Sequence, residues 1–146
     1  MLADAFPNQN IVLNHFGGPI GIGPYENKRA EVFASWKQSI LNLSKRANVY
    51  IKLGGLGMVL NGYQFENQQL PPSSNELANE WKPFFETTID AFGSERCMFE
   101  SNFPVDKASV SYQVLWNAYK KLTRQLTEEE KNDLFYQTAT TVYKLN

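Results

Sequence analysis

The sequence predicts an α/β fold built on a parallel sheet. Three short, largely apolar runs carry the prediction: Ile11-Val12-Leu13, Val49-Tyr50-Ile51-Lys52-Leu53 and Cys97-Met98-Phe99. Strands buried on both faces of a parallel sheet show such near-continuous runs. The stretches between them carry apolar residues at helical spacing. Strands that alternate with helices imply right-handed crossovers and parallel pairing.

The elements follow in order. Ile11-Val12-Leu13 is a β-branched run bounded by polar residues. From Lys28 to Arg46, Val32, Phe33, Trp36, Ile40 and Leu43 form a stripe of helical period. The second strand, Val49 to Leu53, is closed by Gly54-Gly55. A second helix is expected from Asn75 to Phe92, with Leu77, Trp81, Phe84, Phe85 and Ile89 inward. Pro83 predicts a kink or turn within it, and Gly93 follows as a C-terminal cap. After Cys97-Met98-Phe99, a third helix is expected from Ser109 to Leu122. Val110, Val114, Leu115 and Tyr119 supply its stripe. Thr127 and Glu130 make a capping-box pair that starts a fourth helix. Leu134, Phe135, Val142, Tyr143 and Leu145 supply the last helical core, with a break near Gln137.

The 146 residues predict one domain over 1–146, large enough to bury one core. Hydrophobic residues make up 42% and the formal net charge is -1, which excludes a disordered chain. That balance leaves no footprint for nucleic acid or an anionic membrane. The densest basic group, Lys120-Lys121 with Arg124, is a solvated helix face. No apolar run approaches the length of a spanning helix. Met1 to Asn10 lacks the basic end and apolar run of a signal peptide. Cys97 is the single cysteine, so no intrachain disulfide forms, and a buried, inert thiol is expected. A cytoplasmic protein acting on a small molecule is the expectation.

Two long connections follow strands. Phe16 to Asn27 holds four glycines and two prolines, and Gly54 to Ser74 holds Pro71-Pro72. Neither has the spacing of a nucleotide-binding loop. In α/β barrels such loops shape the pocket at the carboxyl ends of the strands. His15, the only histidine, follows the first strand there. It is either a structural hydrogen-bonding residue, or a metal ligand or proton carrier. Alternation places it on the face of Leu13 and Ile11.

The third strand ends in Glu100-Ser101-Asn102-Phe103-Pro104-Val105-Asp106. Alternation places Glu100 and Asn102 on one face. A glutamate inside a barrel is costly unless paired or functional. It either serves as a catalytic carboxylate or forms a buried ion pair, with Lys52 as partner. Asn102 either orients a water or a carbonyl, or forms an Asx turn. Asp106 is either a second carboxylate or a cap of the next helix, with Ser109 as the alternative cap.

Three segments resemble the amidohydrolase superfamily, and more narrowly its amidohydrolase-2 group. Arg96 to Pro104 resembles the group's last-strand signature, Arg-x-Phe-Gly-Ser-Asp-Trp-Pro. Here Glu100 stands for the glycine, Asn102 for the aspartate and Phe103 for the tryptophan. Asn14-His15-Phe16-Gly17-Gly18-Pro19 is similar to Asp-His-x-Gly-x-Pro, and Lys52-Leu53-Gly54-Gly55 to Lys-Leu-Ser-Gly. The ending Leu134 to Tyr143 is similar to the group's final helix. The resemblance implies a partial (β/α)8 TIM barrel, made of its last three or so βα units plus C-terminal helices. A full barrel needs eight strands and about 250 residues.

It also implies a metal-dependent hydrolase that directs water at a carbonyl carbon, with a lactone or related cyclic ester as substrate. His15 would hold a divalent metal (Zn) or polarise the carbonyl. Asn102 would position water or substrate, and Glu100 would be the base. Asn102 lacks the titratable carboxylate of the aspartate and is a poorer metal ligand. The group's first-strand His-x-His pair is absent, so the metal is in doubt and the isolated chain is expected to be inactive. A lyase that decarboxylates aromatic acids is the alternative. A non-catalytic piece acting in assembly is another, because open strand edges favour self-association.

Overall fold

The computed structural model describes residues 1–145. Strands β1 (Ile11–Leu13), β2 (Val49–Leu53) and β3 (Cys97–Phe99) form one parallel sheet in the order β1-β2-β3. Ile11 lies opposite Val49 and Leu13 opposite Ile51; Ile51 lies opposite Cys97 and Leu53 opposite Phe99. Neighbours in sequence are thus neighbours in the sheet, as predicted, and all three strands end on one side. No helix of the described residues is long and apolar enough to cross a membrane.

The helices are α1 (Leu2–Ala5), α2 (Arg29–Leu43), α3 (Ser74–Phe92), α4 (Tyr112–Leu122), α5 (Glu128–Asn132) and α6 (Thr138–Tyr143). Helix α1 carries no sequence signal beyond its length of one turn. Helix α3 runs unbroken through Pro83. Ser73 caps it through a reciprocal pair with Glu76, and Gly93 ends it at φ +79°. The third helix starts later than expected. Its cap is Ser111, whose side chain accepts from the Val114 N–H, and Ser109 lies before it. Val105–Ala108 instead forms a tight turn. Thr127 and Glu130 make the expected capping box. The break near Gln137 is a widened π-type turn, Asp133–Gln137, that runs directly into α6.

The two faces of the sheet differ. Val49, Ile51 and Leu53 of β2 and Cys97 of β3 are fully buried beneath the helices. Ile11, Leu13 and Phe99 pack against the same core. Aromatic rings tie that core together. Phe85 of α3 meets Phe16 at 4.8 Å and Tyr119 at 5.4 Å between ring centroids, and Phe99 stacks on Tyr119 at 4.6 Å. Trp36 donates from Nε1 to the Phe16 carbonyl at 2.6 Å, which pins the loop after β1 to α2. Trp36 and Trp81 are core residues, as expected. On the other face stand Tyr50 and Lys52, with Met98 buried there outside the helical core. Burial pushes the Cys97 thiol above its ordinary range, which keeps it inert.

Phe85 touches rings from the β1 loop, β3 and α4. Phe85→Ala should therefore cost about 3–5 kcal/mol of unfolding free energy by chemical denaturation. A loss below about 1 kcal/mol would mean that these rings do not form a single core.

Candidate active site

Three strand ends converge on one cluster. His15 comes from the end of β1, Lys52 from β2, and Glu100 from the residue after β3. The His15 ring leaves the face occupied by Ile11 and Leu13. The strand stops at Leu13, and His15 and Phe16 both take left-handed backbone, each at φ +54°. That turn drops Phe16 into the helical core, fully buried, and swings His15 toward Glu100. Simple alternation therefore placed His15 on the wrong face. Histidine tolerates this backbone region better than bulky apolar residues do.

Nδ1 of His15 lies 2.5 Å from Oε1 of Glu100. The carboxylate's other oxygen, Oε2, lies 3.6 Å from Lys52 Nζ. Glu100 thus forms the expected pair with Lys52 and contacts His15 at the same time. Its side chain is 15% exposed, so the pairing is only partly screened by water. With a carboxylate on Nδ1, that nitrogen carries the proton. Nε2 then keeps the free lone pair.

Two glycines make this approach possible. A Cβ on Gly54 would come within 2.3 Å of the Glu100 carbonyl oxygen and 2.5 Å of its Cγ. A Cβ on Gly55 would come within 2.9 Å of both Cβ and Nδ1 of His15. Gly55 also has φ +78°, where other residues are strained.

Asn102 and Asp106 form a second cluster beside the first. Asn102 has φ +51°, so alternation ends before it and its amide turns to Asp106. Nδ2 donates to Asp106 Oδ1 at 2.7 Å. The other carboxylate oxygen, Oδ2, accepts from the Gly57 N–H at 3.2 Å. Asp106 is fully buried and does not cap α4. Burial pushes its carboxyl up to about 6, against the pull of the Asn102 and Gly57 hydrogen bonds and of His15. Nothing in the sequence marks this role, because the Gly57 N–H reaches Asp106 from 49 residues away. Tyr119, fully buried in α4, donates from its hydroxyl to the Glu100 carbonyl at 3.1 Å and holds the end of β3.

Among the described residues, no group of three His, Cys, Asp or Glu side chains is placed to hold a metal ion. His15 Nε2 has the bearing of a metal ligand, because metal-bound histidines usually hold a carboxylate on the other nitrogen. Both Asp106 oxygens and both Glu100 oxygens are engaged by protein groups.

Two measurements test this geometry. Gly55→Ala should displace the His15 ring, and the proton on Nδ1 should lose its strongly deshielded NMR signal. Survival of that signal would mean that the close contact is not required. The second concerns stability. Asp106 titrates higher folded than its ordinary 3.8, so the native state binds more protons than the unfolded chain between about 4 and 6. Its favourable contribution is present below that window and is lost as pH rises through about 6. The wild type should therefore gain stability relative to Asp106→Asn between pH 7 and pH 4. The slope is at most about 1.4 kcal/mol per pH unit. A flat difference would place the carboxyl at its ordinary pKa.

Comparisons with known proteins agree with this architecture. The family profile described as Amidohydrolase matches residues 1–145. An uncharacterized protein of Sinorhizobium fredii, y4mH, is 36% identical over 144 residues, which is 99% of this chain and 42% of that protein. Two crystal structures of an amidohydrolase from Burkholderia multivorans superpose on 99% of the chain at 23% identity. One, with bound HEPES, gives a TM-score of 0.80 and is covered over 49% of its length. The other, with bound zinc, gives 0.79 and is covered over 48%. A Pseudomonas putida protein, provisionally named a 2-pyrone-4,6-dicarboxylic acid hydrolase, gives 0.60 at 22% identity, over 46% of its length. The chain thus spans less than half the length of these relatives.

Proposed function

Since the chain belongs to the amidohydrolase family, we propose that it forms part of a hydrolase that directs water at the carbonyl carbon of a lactone or related cyclic ester. The observation that carries this reading is the His15–Glu100 pair at the carboxyl ends of the strands, 2.5 Å apart and flanked by Lys52.

Glu100 holds His15 in the tautomer whose Nε2 can accept a proton. Both Glu100 oxygens are engaged, so Nε2 is the base and the carboxylate stabilises the imidazolium that forms. Water loses a proton to Nε2 as its oxygen bonds to the carbonyl carbon. The carbonyl oxygen becomes an oxyanion, and Lys52 supplies positive charge beside it. The ring C–O bond then breaks. The departing oxygen takes the proton back from His15, which leaves an open-chain hydroxy acid. A 2-pyrone is itself a cyclic ester, so the name of the Pseudomonas relative supports this substrate class.

Zinc bound to the Burkholderia relative raises the metal version of this site. Among the described residues, the donor set does not complete a centre. His15 Nε2 is the one donor this chain would contribute. It cannot ligate an ion and act as the base together.

Acid release from 3,4-dihydrocoumarin at constant pH tests the reading, on the chain alone and joined to the barrel segments of a longer relative. Lactone hydrolysis is expected, and activity retained after chelation would make His15 Nε2 the base. Glu100→Gln should lower kcat about 100-fold or more, because His15 loses the carboxylate that fixes its tautomer and stabilises the imidazolium. Loss of activity on chelation would instead make His15 a ligand. Carbon dioxide release from an aromatic acid, without lactone hydrolysis, would make the protein a lyase.

A further inference from the structure

A side-chain amide has two chemically different ends, and the neighbours of Asn102 decide which one is free. Asp106 is fully buried, and its Oδ1 takes the Asn102 Nδ2 at 2.7 Å. An ionised carboxylate only accepts hydrogen bonds, so the amide must turn its N–H toward Asp106. The carbonyl oxygen of Asn102 is the end left over. The backbone reinforces this arrangement. Asn102 sits at φ +51°, and its own carbonyl accepts the Asp106 N–H at 3.2 Å.

Asp106 is held in turn from the β2 side. Its Oδ2 accepts the Gly57 N–H at 3.2 Å, and a Cβ on Gly57 would come within 2.9 Å of that oxygen. Only glycine lets the carboxylate lie so close to the loop. Asp106 therefore couples the loop after β3 to the loop after β2, beside His15 and Glu100. Both of its oxygens are occupied and none of its surface is exposed, so it cannot itself touch a substrate.

We propose that Asp106 is a positioning residue that fixes the Asn102 amide with its carbonyl oxygen free, so that Asn102 accepts a hydrogen bond from the attacking water. The proposal rests on the hydrolytic reading of the site. One O–H of the water then points to His15 Nε2 and the other to Asn102 Oδ1. A lone pair is left facing the carbonyl carbon. Two acceptors orient a nucleophilic water better than one, because they remove its freedom to rotate before attack. The amide thus substitutes for an aspartate in orientation, while the proton goes to the histidine.

The first arm of the test needs no substrate. In 15N-edited NMR of the wild-type chain at about pH 8, where Asp106 is ionised, one Asn102 amide proton should be deshielded and slow to exchange. Both features should collapse in Asp106→Asn, which cannot accept from Asn102 and from Gly57 together. Ordinary solvent-exposed amide shifts for Asn102 in the folded wild type would overturn the proposal, whatever the variant does.

The second arm uses 3,4-dihydrocoumarin as the probe on the active form of the protein. Asp106→Asn should lower kcat about tenfold with KM changed less than about twofold. Asn102→Ala should give the same loss, and the double variant no further loss, since both remove one orienting contact. A folded Asp106→Asn protein with unchanged kcat, or additive losses in the double variant, would overturn the positioning role. If the wild type shows the deshielded amide but hydrolyses no lactone, the hydrolase reading fails and the amide orientation stands.

Discussion

Everything at the candidate site depends on how closely two backbones pass at the end of β2. Gly54 lies against Glu100 and Gly55 against His15, at separations that leave no room for a Cβ. The parallel register brings the three strand ends level, and the glycines let the loops from β1 and β3 close over the middle strand. Without that contact, the His15 ring and the Glu100 carboxylate have no means of meeting across 85 residues of sequence. The cost is a strained backbone: His15, Phe16 and Asn102 all occupy left-handed conformations. Such strain persists only where the surroundings over-determine it. Here the buried Phe16 ring, its carbonyl bond to Trp36 and the Tyr119 bond to the Glu100 carbonyl do so.

The electrostatics follow from the same convergence. Two carboxylates, Glu100 and Asp106, share a small region with His15 and Lys52. Glu100 meets positive charge directly through Lys52 and a ring N–H through His15. Asp106 has only neutral N–H donors and lies deeper, so desolvation dominates and its carboxyl moves up to about 6. The two acids therefore suit different tasks. One holds a proton-transfer partner in place, and the other holds a neutral amide.

The two sides of the sheet are covered differently. Its helical side is closed by a continuous aromatic core, while on the other side Met98 is buried and Lys52 Nζ lies 5.6 Å from the centroid of the Tyr143 ring in α6. Three parallel strands make less than half of an eight-stranded barrel. The relatives with the same fold are about twice as long. In a longer barrel, further parallel strands pair along the sheet edges, β1 and β3. The candidate site lies at the carboxyl ends of the strands, beside Lys52.

Much of this was legible in the sequence, and the rest was not for definable reasons. Strand runs, helical stripes and capping pairs are local, so the β-α order, the parallel sheet and the Thr127–Glu130 box followed from spacing alone. His15, Glu100 and Asn102 stood out because each is a polar residue where an apolar strand ends. Lys52 could be named as a partner for Glu100, because adjacent parallel strands bring such positions together. The direction of His15 could not be read, since period-2 alternation fails once φ turns positive. Asp106 resembled a helix cap, because a cap and a buried acceptor have the same residue type and differ only in what folds against them. Residue type and spacing determined the elements and the candidate chemistry. The tertiary structure alone decided the faces and the pairings, because they depend on backbone approach between segments that the sequence keeps tens of residues apart.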